Sequence, residues 1–393
     1  MRHHLSNFFL MLPLLWLAAG IVWFPQGSKP MVAIVLVSVI GYLVLSGFSE
    51  IKRNWSNNYW LWGILISTIF IGASYATYGA STQELRALII SLIYLSILPK
   101  RFVSLSVAQY LLLLAAVVSF GLSLWFGFIA PTDRMQWPSN PIPLAAHQGL
   151  ISLLAIGLLL LSFKGKKPIV LGVSVALAGF SILPTQSRGV ILGVLAIYLL
   201  VGVVLLIQKK ISFRYAFLAL VLVIGSGFLA KDALMARASD TFKEIEHIKN
   251  GNMNSSIGVR FQMYQAGLEL FQQKPILGHG QFTVEYAKKN APGYTNAAYS
   301  YMKGHLHNNF IDKMAKSGLI GLTIFLFFML YPMYLSTFKY KEYFWLLFLP
   351  SAHYILFSLT DSPFRNGDTA VVYLIVIGLI INCAQFDMEE KEQ

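Results

Sequence analysis

Apolar runs of membrane-spanning length recur from one end of this chain to the other, and no other feature constrains its fold as much. A bilayer core takes about 20 apolar residues per helix. In lipid the backbone can satisfy its polar groups only as a helix or a closed barrel. Twelve runs meet or approach that length: Asn7–Phe24, Met31–Phe48, Tyr59–Tyr78, Leu85–Leu98, Phe102–Ile129, Leu144–Phe163, Pro168–Leu183, Gly189–Ile207, Ser212–Ala230, Gly318–Thr337, Tyr343–Thr360 and Thr369–Ala384. The fourth and seventh are short, and the fifth is long enough to tilt or to pass the membrane surface. The pattern predicts an all-α polytopic membrane protein of about twelve spans. Nine fall in residues 1–230 and three in residues 318–393, with one large, partly helical loop over 231–317 between them.

Composition agrees. Hydrophobic residues make up 56% of the 393 and charged residues 12%, against about 25% charged in a soluble domain. That excludes a soluble enzyme, a disordered tail and a fibrous protein. The single cysteine, Cys383, allows no intrachain disulfide and no cysteine-based metal site. A net charge of +13 would point to nucleic acid in a soluble chain. In a membrane chain it reads as a positive-inside bias or an affinity for anionic lipid, with no nucleic-acid partner.

The basic residues set the orientation. With the N-terminus inside, the inside loops carry Arg2, Lys52, Arg53, Lys100, Arg101, Lys164, Lys166, Lys167, Lys209, Lys210, Arg214, Lys339, Lys341 and Lys391. The short outside loops carry only Lys29, Arg86, Arg134, Arg188 and Arg365. This split supports twelve spans with both ends inside, and it retains the short fourth span, whose loss would invert every later loop. Ala18-Ala19-Gly20 resembles a signal-peptide cleavage site, but its apolar run exceeds a usual leader and reads as an uncleaved helix. No acidic residue falls mid-span, which counts against an ion-coupled transporter. His353, deep in the eleventh run, reads as a helix-packing residue.

The chemistry gathers outside. In residues 255–273, Phe261, Tyr264, Leu268 and Phe271 recur at helical spacing, with Ser255 or Ser256 as cap and Lys274-Pro275 and Gly278 as stop signals. Arg260 then lies in the first turn, where an anion at the helix N-terminus would meet both free N–H groups and a guanidinium. Gly304-His305-Leu306-His307-Asn308-Asn309-Phe310 precedes the tenth run, followed by Asp312 and Lys316 at i,i+4. Histidines two apart do not share a helical face, and no third ligand cluster is evident; His247 and His279 are near only in sequence. No metal is therefore expected, and a histidine at the membrane surface suits a general base. Pro184-Thr185-Gln186-Ser187-Arg188-Gly189 puts Arg188 at a span edge, as an anion clamp or a snorkelling side chain.

Together these segments resemble the O-antigen ligase superfamily of bacterial polytopic glycosyltransferases. His307-Asn308, nine residues, then Gly318-Leu319-Ile320-Gly321 matches the pattern H-[NSQ]-x9-G-x-x-[GTV]. Arg188-Gly189-Val190-Ile191-Leu192 matches R-x3-L, and Arg260 ahead of Pro275-x-x-Gly278-x-Gly280 matches a third basic position. The superfamily also holds O-antigen polymerases and protein O-oligosaccharyltransferases. Polymerase-type R-x10-G fails here, because the positions eleven beyond Arg188, Arg237, Arg260 and Arg365 are Leu199, Ile248, Phe271 and Val376. Protein-directed members often carry added C-terminal segments, whereas this sequence stops at Gln393.

The resemblance implies a GT-C-type glycosyltransferase in the inner membrane of a Gram-negative bacterium, with both termini cytoplasmic and a periplasmic active site. Its donor would be a glycan on undecaprenyl pyrophosphate, and its acceptor a sugar hydroxyl of lipid A–core. No Asp-x-Asp occurs, so metal-independent transfer without a cofactor is expected, and a single base with no carboxylate nucleophile fits an inverting direct displacement better than a double one. Arg188 and Arg260 would clamp the pyrophosphate, and His307 would take or orient the acceptor proton. His305, Asn308, Gln186, Tyr264, Asp361 and Arg365 are further substrate-binding candidates, with mutual pairing of Asp361 and Arg365 as the bland alternative for those two. A polymerase or protein-directed transferase is the alternative of the same superfamily, and a lipid-linked glycan flippase the alternative of another class.

Overall fold

The computed structural model describes residues 2–161, 168–210, 225 and 231–392, and every regular element among them is helical. The ninth run, apart from residue 225, lies outside the described residues, as do Lys164, Lys166, Lys167 and Arg214. The helices are α1 (Arg2–Leu15), α2 (Ser28–Ser46), α3 (Ser49–Trp55), α4 (Tyr59–Thr77), α5 (Thr82–Ile97), α6 (Leu105–Leu124), α7 (Pro141–Leu161), α8 (Pro168–Ser181) and α9 (Arg188–Ile207). After them come α10 (Lys231–Lys249), α11 (Ser256–Gln273), α12 (Val284–Asn290), α13 (Asn296–Met302), α14 (Asn309–Tyr334), α15 (Phe344–Ser358) and α16 (Gly367–Glu392).

Eight described helices are long and apolar enough to cross a membrane, and they coincide with the first, second, third, fifth, sixth, eighth, tenth and twelfth runs. The fourth, seventh and eleventh runs form the shorter helices α5, α8 and α15 of 16, 14 and 15 residues. Two of the three are enclosed by other helices. α5 sits among α2, α4 and α16, and α15 among α7, α9 and α14, so other helices cover them. The tenth run begins earlier than its apolar residues indicate. α14 starts at Asn309 and bends at Gly318.

Aromatic residues knit α4, α14, α15 and α16. Trp60 meets Phe328 at 5.1 Å, and Tyr354 meets Tyr373 at 4.3 Å between ring centres. Each polar handle in this cluster reaches a carbonyl. Trp60 Nε1 donates to Leu374 O at 3.0 Å, Tyr373 to Phe328 O at 2.9 Å and Tyr354 to Thr369 O at 2.8 Å. An apolar interior leaves such groups no other partner. His353 follows the same rule and bonds Ala146 O at 2.9 Å, as a packing residue should.

The bundle has two chemically distinct ends. At one, Asp368 accepts from the backbone N–H groups of Gly27 and Ser28, and Ser81 reaches Arg365 O. At the other, Lys100 pairs with Glu389, Arg101 with Glu390 and Lys391 with Glu342. Among the described residues, Lys100, Arg101 and Lys391, all expected inside, thus share one end, and Lys29's neighbour Ser28 and Arg365, expected outside, share the other.

Residues 231–317 build their own small core, in which Val259, Met263, Ala266 and Leu270 of α11 pack with Phe282, Tyr299 and Leu306. It is anchored to the bundle through α14. There Lys313 forms a buried ion pair with Glu84 on the first turn of α5. Removing one member of a buried pair strands a charge, at a cost of about 3–5 kcal/mol. Lys313→Met should therefore lower the thermal unfolding midpoint in detergent, and Lys313→Met with Glu84→Leu should recover most of the loss. Equal midpoints for the single variant and the parent would show that the pair does not anchor the two elements.

Candidate active site

The site begins with a helix cap. Asn308 precedes α14, and its Oδ1 accepts from Phe310 N at 3.0 Å and Ile311 N at 3.2 Å. The chain reaches that cap through His307, whose φ is +51°. A left-handed non-glycine residue costs on the order of 1–2 kcal/mol, so the surroundings must hold it. They do so with two charged side chains of α14. Asp312 Oδ1 accepts from Leu306 N at 3.0 Å, while Lys316 Nζ donates to Gly304 O at 2.9 Å and pairs with Asp312 at 2.7 Å.

This arrangement decides where the two histidines go. Residues 305–308 are not helical, and in extended chain residues i and i+2 share a side. Leu306 is buried in the loop core. His305 and His307 face the other way, with ring centres 4.1 Å apart. The helical-face argument against the pair therefore does not apply. A third group joins them. Asp361, in the loop between α15 and α16, has Oδ1 2.9 Å from His305 Nε2 and 3.4 Å from His307 Nδ1.

The mutual Asp361–Arg365 pairing is thus corrected. Asp361 turns to the histidines, and Arg365 Nη1 donates to Gln281 Oε1 at 2.6 Å. The sequence reading also missed a third ligand, because Asp361 lies 54 residues beyond His307. One ligand atom from each of His305, His307 and Asp361 lies within 4.8 Å of the others. Two imidazoles and a carboxylate are a donor set that divalent transition metals accept.

The cluster opens on a cavity of about 390 Å³, which His305, His307, Asp361, Arg365, Gln281 and Asn140 line. Burial pushes the Asp361 carboxyl up, but the contacts and charge of both histidines outweigh it and hold the group well below the usual carboxylate range. Burial pushes His307 down. Asp361 pulls it back up, while His305 and Arg260 add to the lowering. His307 is therefore mostly neutral at pH 7 and able to accept a proton.

α11 borders the cluster. Ser255 caps it as expected, its Oγ accepting from Gly258 N at 3.1 Å. Tyr264 donates to His307 O at 2.9 Å. Its own hydroxyl is pushed up by burial, eased by the charge of Arg260 and raised again by Asp361. The face that the spacing marks is not the one α11 buries. Phe261 and Leu268 are exposed, and Val259, Met263, Ala266 and Leu270 turn inward. The helix is apolar on both sides, so periodicity alone could not choose between them.

Arg188 is placed differently. It begins α9, its Nη2 meets Glu244 Oε1 of α10 at 3.1 Å, and its Nη1 bonds Thr241. Glu244 Oε2 in turn accepts from Ile257 N at 2.9 Å in the first turn of α11. Gln186 precedes it with φ of +54°, and its carbonyl accepts from Arg134 at 3.1 Å. Tyr264 and Arg260 act on His307, but neither they nor Arg188 and Gln186 line the 390 Å³ cavity. Asn140 and Gln281 line it without having been singled out. Asn140 carries a cap signal ahead of Pro141, and its Oδ1 accepts from Ile142 N at 3.0 Å. Gln281 carries no signal beyond its place after Gly280.

The glycines of the two motifs meet at one crossing. Gly318 has φ of +62°, and a Cβ there would lie 2.2 Å from Ile276 O. Gly278 has φ of +70°, and its Cβ would lie 2.4 Å from the Lys316 carbonyl carbon. Between them Leu319 N donates to Pro275 O at 2.7 Å and Gly280 N to Lys316 O at 2.8 Å. Residues 275–280 thus strap the bend of α14 directly beneath the histidines.

Replacing Asp361 by Asn removes the group that raises His307 and leaves burial unopposed. In Asp361→Asn the His307 ring should titrate at lower pH than in the parent, read by NMR of labelled histidine. A midpoint that stays put or rises would separate the two residues. The sign for stability follows. A histidine held below its unfolded value of about 6.5 is protonated first in the unfolded chain. Its contribution is present above that value and declines as pH falls from there towards the folded midpoint.

Comparison with known proteins adds an independent line. Residues 173–326 match the family model described as O-antigen ligase, a stretch that holds Arg188, Arg260, His305 and His307 but not Asp361 or Arg365. An uncharacterized protein of Haemophilus influenzae is 25% identical over 169 residues, which is 41% of this chain and 42% of that protein. An O-antigen ligase of Escherichia coli is 22% identical over 223 residues, or 54% and 52%. The chain spans about half the length of the curated relatives it matches.

Proposed function

We propose that this chain, a membrane protein with an O-antigen ligase family region over residues 173–326, is a glycosyltransferase that moves a glycan from undecaprenyl pyrophosphate to a sugar hydroxyl of lipid A–core. The observation that carries this reading is the His305–His307–Asp361 cluster opening on a cavity at the end of the bundle that also holds Arg260 and Arg365. In the proposal that end is the periplasmic face of the inner membrane, and both termini are cytoplasmic.

The chemistry is a single displacement. The acceptor oxygen attacks the anomeric carbon, the bond from that carbon to the pyrophosphate oxygen breaks, and the hydroxyl proton passes to His307. The configuration inverts in this reading, since Asp361, the carboxylate that lines the cavity among the described residues, is turned to the two histidines rather than left free as a nucleophile. Asp361 stabilises the imidazolium as it forms and fixes the ring. Nδ1 of His307 faces Asp361, which leaves Nε2 for the acceptor hydroxyl. His305 shares the carboxylate and narrows the cavity mouth, and Arg365 and Gln281 offer donors to the incoming sugar. Tyr264 braces the His307 backbone, and Asn308 caps α14 to hold it there.

Arg260 and Arg188 serve as the pyrophosphate clamp. Arg260 already acts on His307 by its charge. Arg188 is held by Glu244, so donor binding would exchange one anion for another at the same guanidinium. Fork-shaped Arg recognises phosphate oxygens in pairs, and Lys does not.

The test is transfer by the purified chain in vitro, with undecaprenyl-pyrophosphate glycan and lipid A–core, with and without EDTA. Removing one positioned base or oxyanion donor typically costs on the order of 10²–10⁴ in rate. His307→Ala should lose that much with EDTA present or absent, and Arg188→Lys should lose activity at equal protein level. Parent activity abolished by EDTA and restored by a divalent metal would instead assign the three-ligand cluster to a cation. Glycan chains that lengthen on the lipid, or label a protein, would change the acceptor and keep the site. Full activity of His307→Ala would end the proposal for that residue.

A further inference from the structure

A second cavity, of about 470 Å³, lies within the bundle away from the histidine cluster. This is within the range of small-molecule sites, about 300–1,000 Å³. α16 supplies one continuous face to it, through Val372, Val376, Leu379, Ile380, Cys383 and Asp387. The fifteen helical rises from Val372 to Asp387 make a shaft of about 22 Å. One leaflet's share of a hydrocarbon core about 30 Å thick is shorter than that. Leucines and alanines of α6 and α7 complete the walls. His147 lines the inner stretch, 7% exposed, with neither ring nitrogen bonded to a described protein group. Buried polar groups are normally satisfied, so an orphan on a cavity wall marks space that something other than this chain fills.

The polar groups of the shaft gather at its other end, near the Lys100–Glu389 and Lys391–Glu342 pairs. Asp387 accepts a hydrogen bond from the Tyr343 hydroxyl at 2.5 Å, and among the described residues no cation pairs with it. Arg101 is 56% exposed; it pairs with the equally open Glu390, a contact worth little in water, and rests over the Phe386 ring at 5.3 Å. Ser104, at the same mouth, caps the N-terminus of α6 and so presents the positive end of that helix. Among the described residues the mouth therefore offers a carboxylate that no cation pairs with and a solvent-exposed guanidinium. That pattern complements a zwitterion that carries an ammonium group and a phosphate. A purely anionic headgroup would use Arg101 and leave Asp387 without a counter-charge, because Lys391 is already paired with Glu342.

We propose that this shaft binds a glycerophospholipid with an amine-bearing headgroup, drawn from the leaflet opposite the histidine cluster. One acyl chain lies along the α16 face, the ammonium meets Asp387, and the phosphate meets Arg101. The site does not depend on the glycosyl-transfer reading, since it lies at the other end of the bundle and shares no residue with that cavity.

The experiment uses the full chain, delipidated and then reconstituted in nanodiscs of equal parts phosphatidylethanolamine and phosphatidylglycerol. It is released in mild detergent and weighed by native mass spectrometry. The expected result is one phosphatidylethanolamine retained per chain, at least tenfold over phosphatidylglycerol. Asp387→Asn should keep a bound lipid and lose the preference, while Ala108→Trp, which fills the shaft, should lose the lipid at an unchanged unfolding midpoint. Cys383 gives a second readout that needs no variant. It is the one cysteine of the chain and lines the shaft. Maleimide labelling should be at least fivefold slower in phosphatidylethanolamine discs than in phosphatidylglycerol discs. Equal retention of the two lipids, an unchanged preference in Asp387→Asn, or displacement of the lipid by undecaprenyl phosphate would overturn the assignment.

Discussion

Two buried ion pairs on the first turns of α14 hold the candidate site in place. Lys313 reaches out to Glu84 on α5, and Lys316 reaches back to Asp312 and the Gly304 carbonyl. A charge in an interior of low dielectric cannot stay unpaired without losing several kcal/mol, so each pair has one stable arrangement. The first fixes α14 to the bundle. The second fixes the 304–306 loop to α14. The two histidines sit between those constraints, and the left-handed His307 backbone persists because its neighbours leave it no alternative.

The residues that match H-[NSQ]-x9-G-x-x-[GTV] divide their labour accordingly. His307 faces the cavity, Asn308 closes the helix end, and Gly318 lies where the chain must admit another backbone. The strap over 275–280 crosses α14 at Gly318 and supplies Gln281 to Arg365 as it leaves. Motif segments far apart in sequence are therefore two halves of one crossing. A side chain at either glycine would push the strap away and carry Gln281 with it, so the spacing is as much a packing requirement as a chemical one.

Much of this was legible in the sequence, and the rest was hidden for identifiable reasons. Apolar length found the membrane-crossing helices, because lipid allows no other way to satisfy a backbone. It also marked the runs that form α5, α8 and α15, which are apolar but only 16, 14 and 15 residues long. Ser255 and Lys274 marked the ends of α11 correctly, but both its sides carry apolar residues, and the side that periodicity singled out is exposed at Phe261 and Leu268. Asp361 and Arg365 look like partners because they are four residues apart. The fold separates them, since the loop before α16 turns the carboxylate to His305 and the guanidinium to Gln281. Contacts across 54 residues, such as that of Asp361 with His307, leave no local trace.

The position of Arg188 bears on how a pyrophosphate could be received. An unpaired guanidinium at the edge of a span would be costly, so a clamp of that kind needs a resting partner. Glu244 supplies one, and the same carboxylate also takes the free Ile257 N–H at the N-terminus of α11, three residues before Arg260. One acidic side chain thus occupies both a guanidinium and a helix N-terminus, two groups that bind phosphate well. In the proposed reaction the donor would replace it, trading carboxylate contacts for phosphate contacts with the same donors. The net gain from that exchange is smaller than from filling an empty site. A donor that is bound only moderately can leave as the spent lipid pyrophosphate once its glycan has moved on.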